Sequence, residues 1–123
     1  MSGIAGLAYS ADQKSRLHLD EICACLDLHW QTEHNIADFL LALEKNEFGI
    51  FLFDSQNVDK DTVKWVTFVR KLRPRVPLIV LSHRCEKAFC AKLLEQGVFY
   101  QCQHPVDREV LAEIFGSAIK QTQ

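Results

Sequence analysis

The sequence lacks the features that mark most specialised classes of protein. Its 123 residues contain five glycines and three prolines, and no stretch is enriched in glycine, proline or serine. Hydrophobic residues make up 48% of the chain and charged residues 24%, a globular composition that excludes a collagen-like or disordered protein. A chain of this length corresponds to about one domain. We therefore expect residues 1–123 to form a single domain, either as a stand-alone protein or as the N-terminal part of a longer one.

Strong charge and long apolar runs are also missing. Fourteen Lys and Arg against 16 Asp and Glu leave a net charge of −2 at pH 7, which gives no general attraction to nucleic acid or to an anionic membrane. The longest apolar runs, such as residues 49–53, are far shorter than the roughly 20 residues of a membrane span. The first ten residues contain no Lys or Arg, which is not typical of a signal peptide. These absences predict a cytoplasmic protein that directly contacts neither a membrane nor nucleic acid.

Cysteine is present, but its spacing predicts neither a bridge nor a metal site. The five cysteines are Cys23, Cys25, Cys85, Cys90 and Cys102. Since they include no Cys-x-x-Cys pair and nothing indicates secretion, we expect free thiols that pack as small apolar side chains. A zinc site is the less favoured alternative, because no spacing matches that of zinc ligands. Its candidate ligands are His83, Cys85, Cys102 and His104.

Apolar segments of two kinds alternate along the chain. Short apolar runs predict strands at residues 4–9, 26–32, 48–53, 77–81 and 99–102. Helical periodicity predicts helices at residues 13–26, 36–43, 60–72, 86–96 and 107–120, with Asn35 as the cap of the second and Gly97 as the stop of the fourth. The run at residues 48–53 is apolar on both faces, which is typical of a central parallel strand. The pattern predicts a doubly wound α/β fold, a five-stranded parallel sheet with helices on both faces.

Polar residues follow three of the predicted strands. Asp54 comes after the third strand, Ser82 after the fourth, and His104, which precedes Pro105, after the fifth. Ligands of such sheets bind outside the carboxyl ends of the strands. These three residues are therefore the candidate site.

These residues and their surroundings resemble the receiver domain of two-component response regulators, which is CheY-like. The resemblance spans nearly the whole chain and is carried by Phe51-Leu52-Phe53-Asp54, Pro77-Leu78-Ile79-Val80-Leu81-Ser82, Leu94-Glu95-Gln96-Gly97 and His104-Pro105. It implies the flavodoxin-like strand order 2-1-3-4-5. It also implies that Asp54 is the phosphoacceptor, that Ser82 contacts the phosphoryl group, and that His104 stands where the family has Lys.

The resemblance also implies a Mg²⁺ site, but one with few ligands. The family has two acidic residues after the first strand, where this chain has Tyr9-Ser10-Ala11-Asp12. The implied ligands are Asp12, Asp54 and the backbone carbonyl of Gln56. One carboxylate fewer weakens Mg²⁺ binding, and His104 is mostly neutral at pH 7 whereas Lys is charged. The family's switch aromatic is replaced by Gln101.

Each candidate also has a structural interpretation. Asp54 could cap the turn that follows its strand. Ser82 could be an ordinary hydrogen-bonded hydroxyl, and His104 a structural or solvent-facing histidine. The sequence leaves these alternatives open.

The resemblance implies a two-component receiver domain that is not an enzyme and that regulates a partner or output domain, with a sensor histidine kinase upstream. The last predicted helix carries an apolar band that is wider than one core stripe needs, which predicts either a contact surface such as a homodimer through this face or a helix whose apolar residues all belong to the core. The band comprises Val110, Leu111, Ile114, Phe115, Ala118 and Ile119. The alternative is a pseudo-receiver, an interaction or dimerisation module that works without phosphorylation. A flavin-binding role is disfavoured, because residues 9–15 contain no glycine-rich phosphate loop.

Overall fold

Five strands form one sheet in the computed structural model, which describes residues 4–10, 28–103 and 107–122. They are β1 (Ile4–Ser10), β2 (Leu28–Glu33), β3 (Ile50–Val58), β4 (Leu78–Cys85) and β5 (Tyr100–Gln103). The strand order is β2-β1-β3-β4-β5, and every neighbouring pair is parallel. This confirms the predicted α/β fold and the strand order that the resemblance implied.

Helices connect the strands and begin at residues suited to capping. The described helices are α1 (Ile36–Lys45), α2 (Lys60–Leu72), α3 (Lys87–Glu95) and α4 (Arg108–Thr122). The Asn35 side chain accepts hydrogen bonds from the amides of Ala37, at 2.7 Å, and Asp38, at 3.4 Å, so it caps α1 as predicted. Gly97 follows α3 with a φ of 84°, a left-handed conformation that suits glycine at a helix end. The helix predicted at residues 13–26 lies entirely outside the described residues.

The core has two layers because the sheet is covered on both faces. On one face, α1, α2 and α3 pack against alternate residues of the strands; the buried members of this layer include Phe39, Phe53, Val66, Val80 and Leu93. On the other face α4 packs against the remaining positions, among them Leu52 and Leu81. Successive strand residues point to opposite faces, so the apolar runs of β3 and β4 supply both layers.

Two strands are longer than the sequence predicts. The third predicted strand stops at residue 53 and the fourth at residue 81, whereas β3 continues to Val58 and β4 to Cys85. The extra residues pair with one another, Asn57 with Arg84 and Val58 with Cys85. The polar residues among them, Asn57 and Arg84, are compatible with a turn, but the ladder pairs the backbone groups of both strands and keeps them extended.

The expectation that the cysteines are free thiols is wrong for one pair. Cys85 and Cys90 form a disulfide, because the end of β4 and the first turn of α3 bring their Cα atoms to 6.0 Å. Cys102 is a free thiol. Among the described helices, none combines the length and the apolar character needed to cross a bilayer.

Candidate functional site

The candidate site lies where the outer strands stop and β3 and β4 continue. The pairing of β1 with β3 ends at Ser10 and Asp54, and the pairing of β4 with β5 ends at Ser82 and Gln103. Asp54 and Ser82 therefore lie at the carboxyl edge of the wider sheet, although each is inside its own strand. The chain reverses its winding between β1 and β3, which is where sheets of this type form a crevice for ligands.

Asp54 is buried, and its side chain accepts a hydrogen bond from a residue of β1. Only 5% of the residue is exposed, and the Ser10 hydroxyl donates a hydrogen bond to Asp54 Oδ2 at 3.3 Å. Ser10 is itself fully buried. The backbone carbonyl of Ser10 accepts from His34 Nδ1 at 3.2 Å, which ties the end of β2 to the same place. The position facing Asp54 on β1 thus supplies a hydroxyl rather than a carboxylate.

A cavity of about 310 Å³ opens beside Asp54. Tyr9, Phe53 and Trp65 form aromatic walls, and the rings of Tyr9 and Phe53 lie 4.7 Å apart between centroids. Asp59 and Asp61 complete the rim with carboxylates, and no Lys, Arg or His lines the described cavity. The site therefore presents negative charge and aromatic surface, which favours a cation over an anion.

The turn between β3 and α2 is held by a network of short-range hydrogen bonds. The Asp59 carboxylate accepts from the Thr62 amide at 3.0 Å, and the Thr62 hydroxyl accepts from the Asp59 amide at 3.4 Å, which forms a capping box. The Ser55 hydroxyl donates to the Asn57 carbonyl at 2.9 Å. The residue that caps α2 is thus Asp59.

Ser82 occupies a different environment from Asp54. Its side chain is fully buried, and its hydroxyl has no hydrogen-bond partner among the described residues. In the ladder Ser82 pairs with Ser55, while Asp54 pairs with Leu81. The structure therefore brings Asp54 and Ser82 to adjacent strands, one step apart in register.

Two cysteines lie on the strands next to the candidate site, Cys85 at the end of β4 and Cys102 on β5. Gln101 Nε2 donates to Cys85 Sγ at 3.5 Å, and Gln101 Oε1 is buried without a partner in the described part of the chain. On β5, burial raises the pKa of the Cys102 thiol and the charge of Asp54 raises it further. Cys102 is thus a neutral group close enough to sense the Asp54 carboxylate.

The implied Mg²⁺ ligands are only partly described. Asp12 and His104 lie outside the described residues, and Gln56 lies in β3 two residues after Asp54. Among the described residues no group of three or more His, Cys, Asp or Glu side chains is arranged to hold a metal ion. Beside Asp54, β1 ends in the neutral hydroxyl of Ser10 rather than in a carboxylate, so the described residues offer fewer of the charged oxygens that Mg²⁺ prefers.

Three features of this sheet edge were not predicted from the sequence. Ser10 was not identified as the partner of Asp54, although a polar residue that ends an apolar strand is a usable signal. The capping box of Asp59 and Thr62 was missed, although Asp-x-x-Thr before an apolar helix is a recognisable pattern. The disulfide between Cys85 and Cys90 had no signal in their spacing.

Comparison with known proteins finds similarity in structure and not in sequence. No protein-family profile matches the chain, and no curated protein matches it. A CheY-like response regulator receiver domain protein from Methanospirillum hungatei has a TM-score of 0.88 at 18% identity, covering 98% of this chain and 97% of that one. HP1043, an orphan response regulator of H. pylori, has a TM-score of 0.85 at 11% identity, covering 97% and 99%. The BeF₃-activated receiver domain of DrrB has a TM-score of 0.82 at 17% identity, covering 96% and 98%.

At these identities the similarity establishes the fold. It spans nearly all of the chain and agrees with the strand order and with the resemblance that the motifs carry. The protein therefore has the fold of the CheY-like receiver domains of response regulators.

Proposed function

We propose that residues 1–123 form a single receiver domain of two-component signal transduction, with Asp54 as its phosphoacceptor. The observation that supports this proposal is the position of Asp54, a residue that lines the cavity at the switch point of a receiver fold. Phosphorylation would change how the domain contacts a partner or an output domain. It is a signalling module of the cytoplasm and not an enzyme with turnover.

The proposed reaction takes its phosphoryl group from a phosphohistidine of a sensor kinase. A carboxylate oxygen of Asp54 attacks phosphorus, the bond from phosphorus to the histidine nitrogen breaks, and an acyl phosphate remains on Asp54. Negative charge approaches negative charge, so the reaction needs cations or hydrogen-bond donors around the phosphoryl group. Ser82 is the proposed hydroxyl donor, and its unpartnered Oγ supports this role. His104 is the proposed replacement for the family's Lys.

Mg²⁺ binding at this site is expected to be weak. The proposed ligands are Asp12, Asp54 and the backbone carbonyl of Gln56, which provide one carboxylate fewer than the usual set of receivers. Mg²⁺ strongly prefers carboxylate and water oxygens in octahedral geometry. The hydroxyl of Ser10 beside Asp54 supplies no charge to compensate. We therefore expect a lower Mg²⁺ affinity than in receivers that keep both acidic residues.

The second candidate function is a pseudo-receiver that binds a partner without phosphorylation. The observation that favours it is the hydrogen bond from Ser10 to Asp54, because it occupies a lone pair of the carboxylate and replaces a metal ligand. In this case the domain would present one constitutive surface to its partner.

Homodimerisation through the last helix is also proposed, with a narrower surface than the sequence suggests. Leu111, Phe115 and Ala118 are buried in the core, and Val110 is the large apolar residue of α4 that stays exposed, at 43%. Leu94 of α3 is exposed at 61% and Tyr100 of β5 at 38%. Sedimentation of the Val110→Asp variant tests this contact, with a shift from dimer to monomer as the expected result.

The deciding experiment is an amide NMR titration with Mg²⁺ followed by beryllofluoride, which mimics an acyl phosphate without hydrolysing. For a working receiver we expect saturable shifts around Asp54 and Ser82 that disappear in Asp54→Asn. The matched control is Asp59→Asn, which removes a carboxylate from the same cavity while keeping a good helix cap. If millimolar Mg²⁺ and beryllofluoride shift no wild-type resonances, or shift those of Asp54→Asn equally, the phosphoacceptor role is wrong and the pseudo-receiver function stands.

A further inference from the structure

The disulfide between Cys85 and Cys90 joins two elements of the candidate site. Cys85 is the last residue of β4, and Cys90 lies in the first turn of α3. Their Cα atoms are 6.0 Å apart, which is within the range of about 4.4–6.8 Å that a disulfide requires. The backbone therefore presents these cysteines as a pair that can be bonded without rearrangement of either element.

The bond lies where an oxidant can reach it, next to a helix start that has no side-chain cap. Both cysteines are partly exposed. Glu86, the cap residue of α3, makes no side-chain hydrogen bond to the helix start, in contrast to Asn35 and Asp59. In the oxidised protein the disulfide therefore adds a covalent link at a helix start that lacks a side-chain cap.

The proposed function places the protein in the cytoplasm, where a stable disulfide is unusual. In the cytoplasm thiols are kept reduced, and the disulfides that form there are usually transient and redox-sensing. The bridge closes a loop with a sequence separation of only five residues, so it constrains the unfolded chain less than a bridge across a long loop would. A role in stabilising the whole fold accounts poorly for it.

We propose that Cys85 and Cys90 form a reversible redox-modification site that controls the segment between β4 and α3. This rests on the proposed function for its compartment and for the importance of the segment, but its chemistry is independent of phosphorylation. A hydroperoxide is the oxidant: one thiolate attacks a peroxide oxygen, giving a sulfenic acid and releasing water or an alcohol. The second thiolate then attacks the sulfenic sulfur and releases water, and the disulfide forms. A small dithiol or monothiol reductant reverses the reaction by exchange.

Formation of the disulfide affects the candidate site through one position on β4 and one side-chain contact. Ser82 lies three residues before Cys85 on the same strand, and Gln101 donates to Cys85 Sγ at 3.5 Å. Formation of the bond fixes Cys85 against α3, and its loss frees that sulfur and the start of the helix. Oxidation therefore changes the environment of Ser82, of Gln101 and of the exposed face of α3 that carries Leu94.

Peptide mapping tests the chemistry directly. Trypsin cleaves after Arg84, Lys87 and Lys92, so it separates the two cysteines into peptides 85–87 and 88–92. After hydrogen peroxide and alkylation of remaining thiols, we expect these peptides to appear joined in the denatured wild-type digest. A phosphine reductant should separate them completely. Cys90→Ser should lose the joined species, and the matched control Cys102→Ser should retain it. If the wild-type peptides stay separate and alkylated after peroxide, or the joined species resists reductant, the proposal is overturned.

A second measurement tests the control of the segment. Amide NMR spectra of the oxidised and reduced wild-type protein, without Mg²⁺ or beryllofluoride, should differ at Ser82, Gln101 and along α3. The double variant Cys85→Ser with Cys90→Ser should match the reduced spectrum under both conditions. Differences confined to residues 84–91 would overturn the conformational part of the proposal. Because no phosphoryl analogue is present, neither outcome depends on whether Asp54 is a phosphoacceptor.

Discussion

The two halves of the site edge satisfy their polar groups in opposite ways. In the half built by β1, β3 and the start of α2, the buried carboxylate of Asp54 accepts from Ser10, and the capping box of Asp59 and Thr62 closes the turn. In the half built by β4, β5 and the start of α3, the Ser82 hydroxyl and Gln101 Oε1 are buried without partners among the described residues. The first half is a completed network, and the second leaves donors and acceptors unused.

This difference distinguishes the half of the site that stabilises the fold from the half that has polar groups left for a function. A buried polar group without a partner costs about 1–3 kcal/mol of folding free energy, and such costs tend to persist where a site needs the group. The second half therefore has the character of a region shaped for an added ligand or a changed conformation. The first half holds Asp54 in place.

The largest change in stability is expected when the hydrogen bond between Ser10 and Asp54 is removed. Ser10→Ala removes the hydroxyl that donates to the buried carboxylate of Asp54. Hydrogen bonds to charged groups contribute about 1.5–3 kcal/mol, and because this bond is long at 3.3 Å the free energy of unfolding should fall by about 1.5 kcal/mol in urea titrations. Ser117→Ala, an exposed serine on α4, is the control and should change stability by less than about 0.5 kcal/mol. A Ser10→Ala variant as stable as this control would show that the first half is no better satisfied than the second.

A smaller effect of opposite sign is expected in the second half. Ser82→Ala deletes a fully buried hydroxyl that has no partner among the described residues. Removing this unmet polar group should raise the free energy of unfolding by about 1 kcal/mol, measured in the same urea titration. The variant should at the same time weaken any beryllofluoride response. Loss of stability in Ser82→Ala would mean that the hydroxyl is satisfied in solution and that the contrast between the halves is wrong.

The smallest effect connects the two halves through pH. Cys102 lies on β5, and its pKa is raised above its ordinary value of 9.0 by burial and then by the charge of Asp54. The folded protein therefore holds this proton more tightly than the unfolded chain does. The stabilisation is fully present below pH 9 and is lost as the pH rises through the folded pKa.

The measurement is the free energy of unfolding at pH 7 and pH 10 for wild type and Cys102→Ser. Wild type should lose more stability than the serine variant over this interval. The excess should shrink in an Asp54→Asn background, because the negative charge is gone. An excess that is unchanged by Asp54→Asn would mean that burial alone acts on the thiol and that the halves are electrostatically independent.

Much of the fold could be predicted because its signals are local. The apolar run at residues 48–53 and the periodicity of α2 over Lys60–Leu72 depend on neighbouring residues, and both elements occur where expected. The ends of β3 and β4 could not be predicted, since residues such as Asn57 stay in the ladder only because β4 extends beside them. Tertiary pairing overrode the turn-like composition.

The site was harder to predict for the same reason. The Asp54 position followed from strand order, but its contact with Ser10 joins residues 44 positions apart. The pairing of Cys85 with Cys90 depends on how a strand end faces a helix start, which spacing does not encode. The roles proposed for Asp12, Gln56 and His104 stay predictions, and Asp12 and His104 lie outside the described residues.

The continuation of β3 and β4 beyond their neighbours has a mechanical consequence. Past Asp54 and Ser82 the two strands run on as a paired ribbon, with Asn57 beside Arg84 and Val58 beside Cys85. The ribbon leads into α2 on one strand and towards α3 on the other. Backbone pairing therefore continues up to the residue before the cap of each helix, Asp59 for α2 and Glu86 for α3. The ladder itself thus sets the spacing between the starts of the two helices.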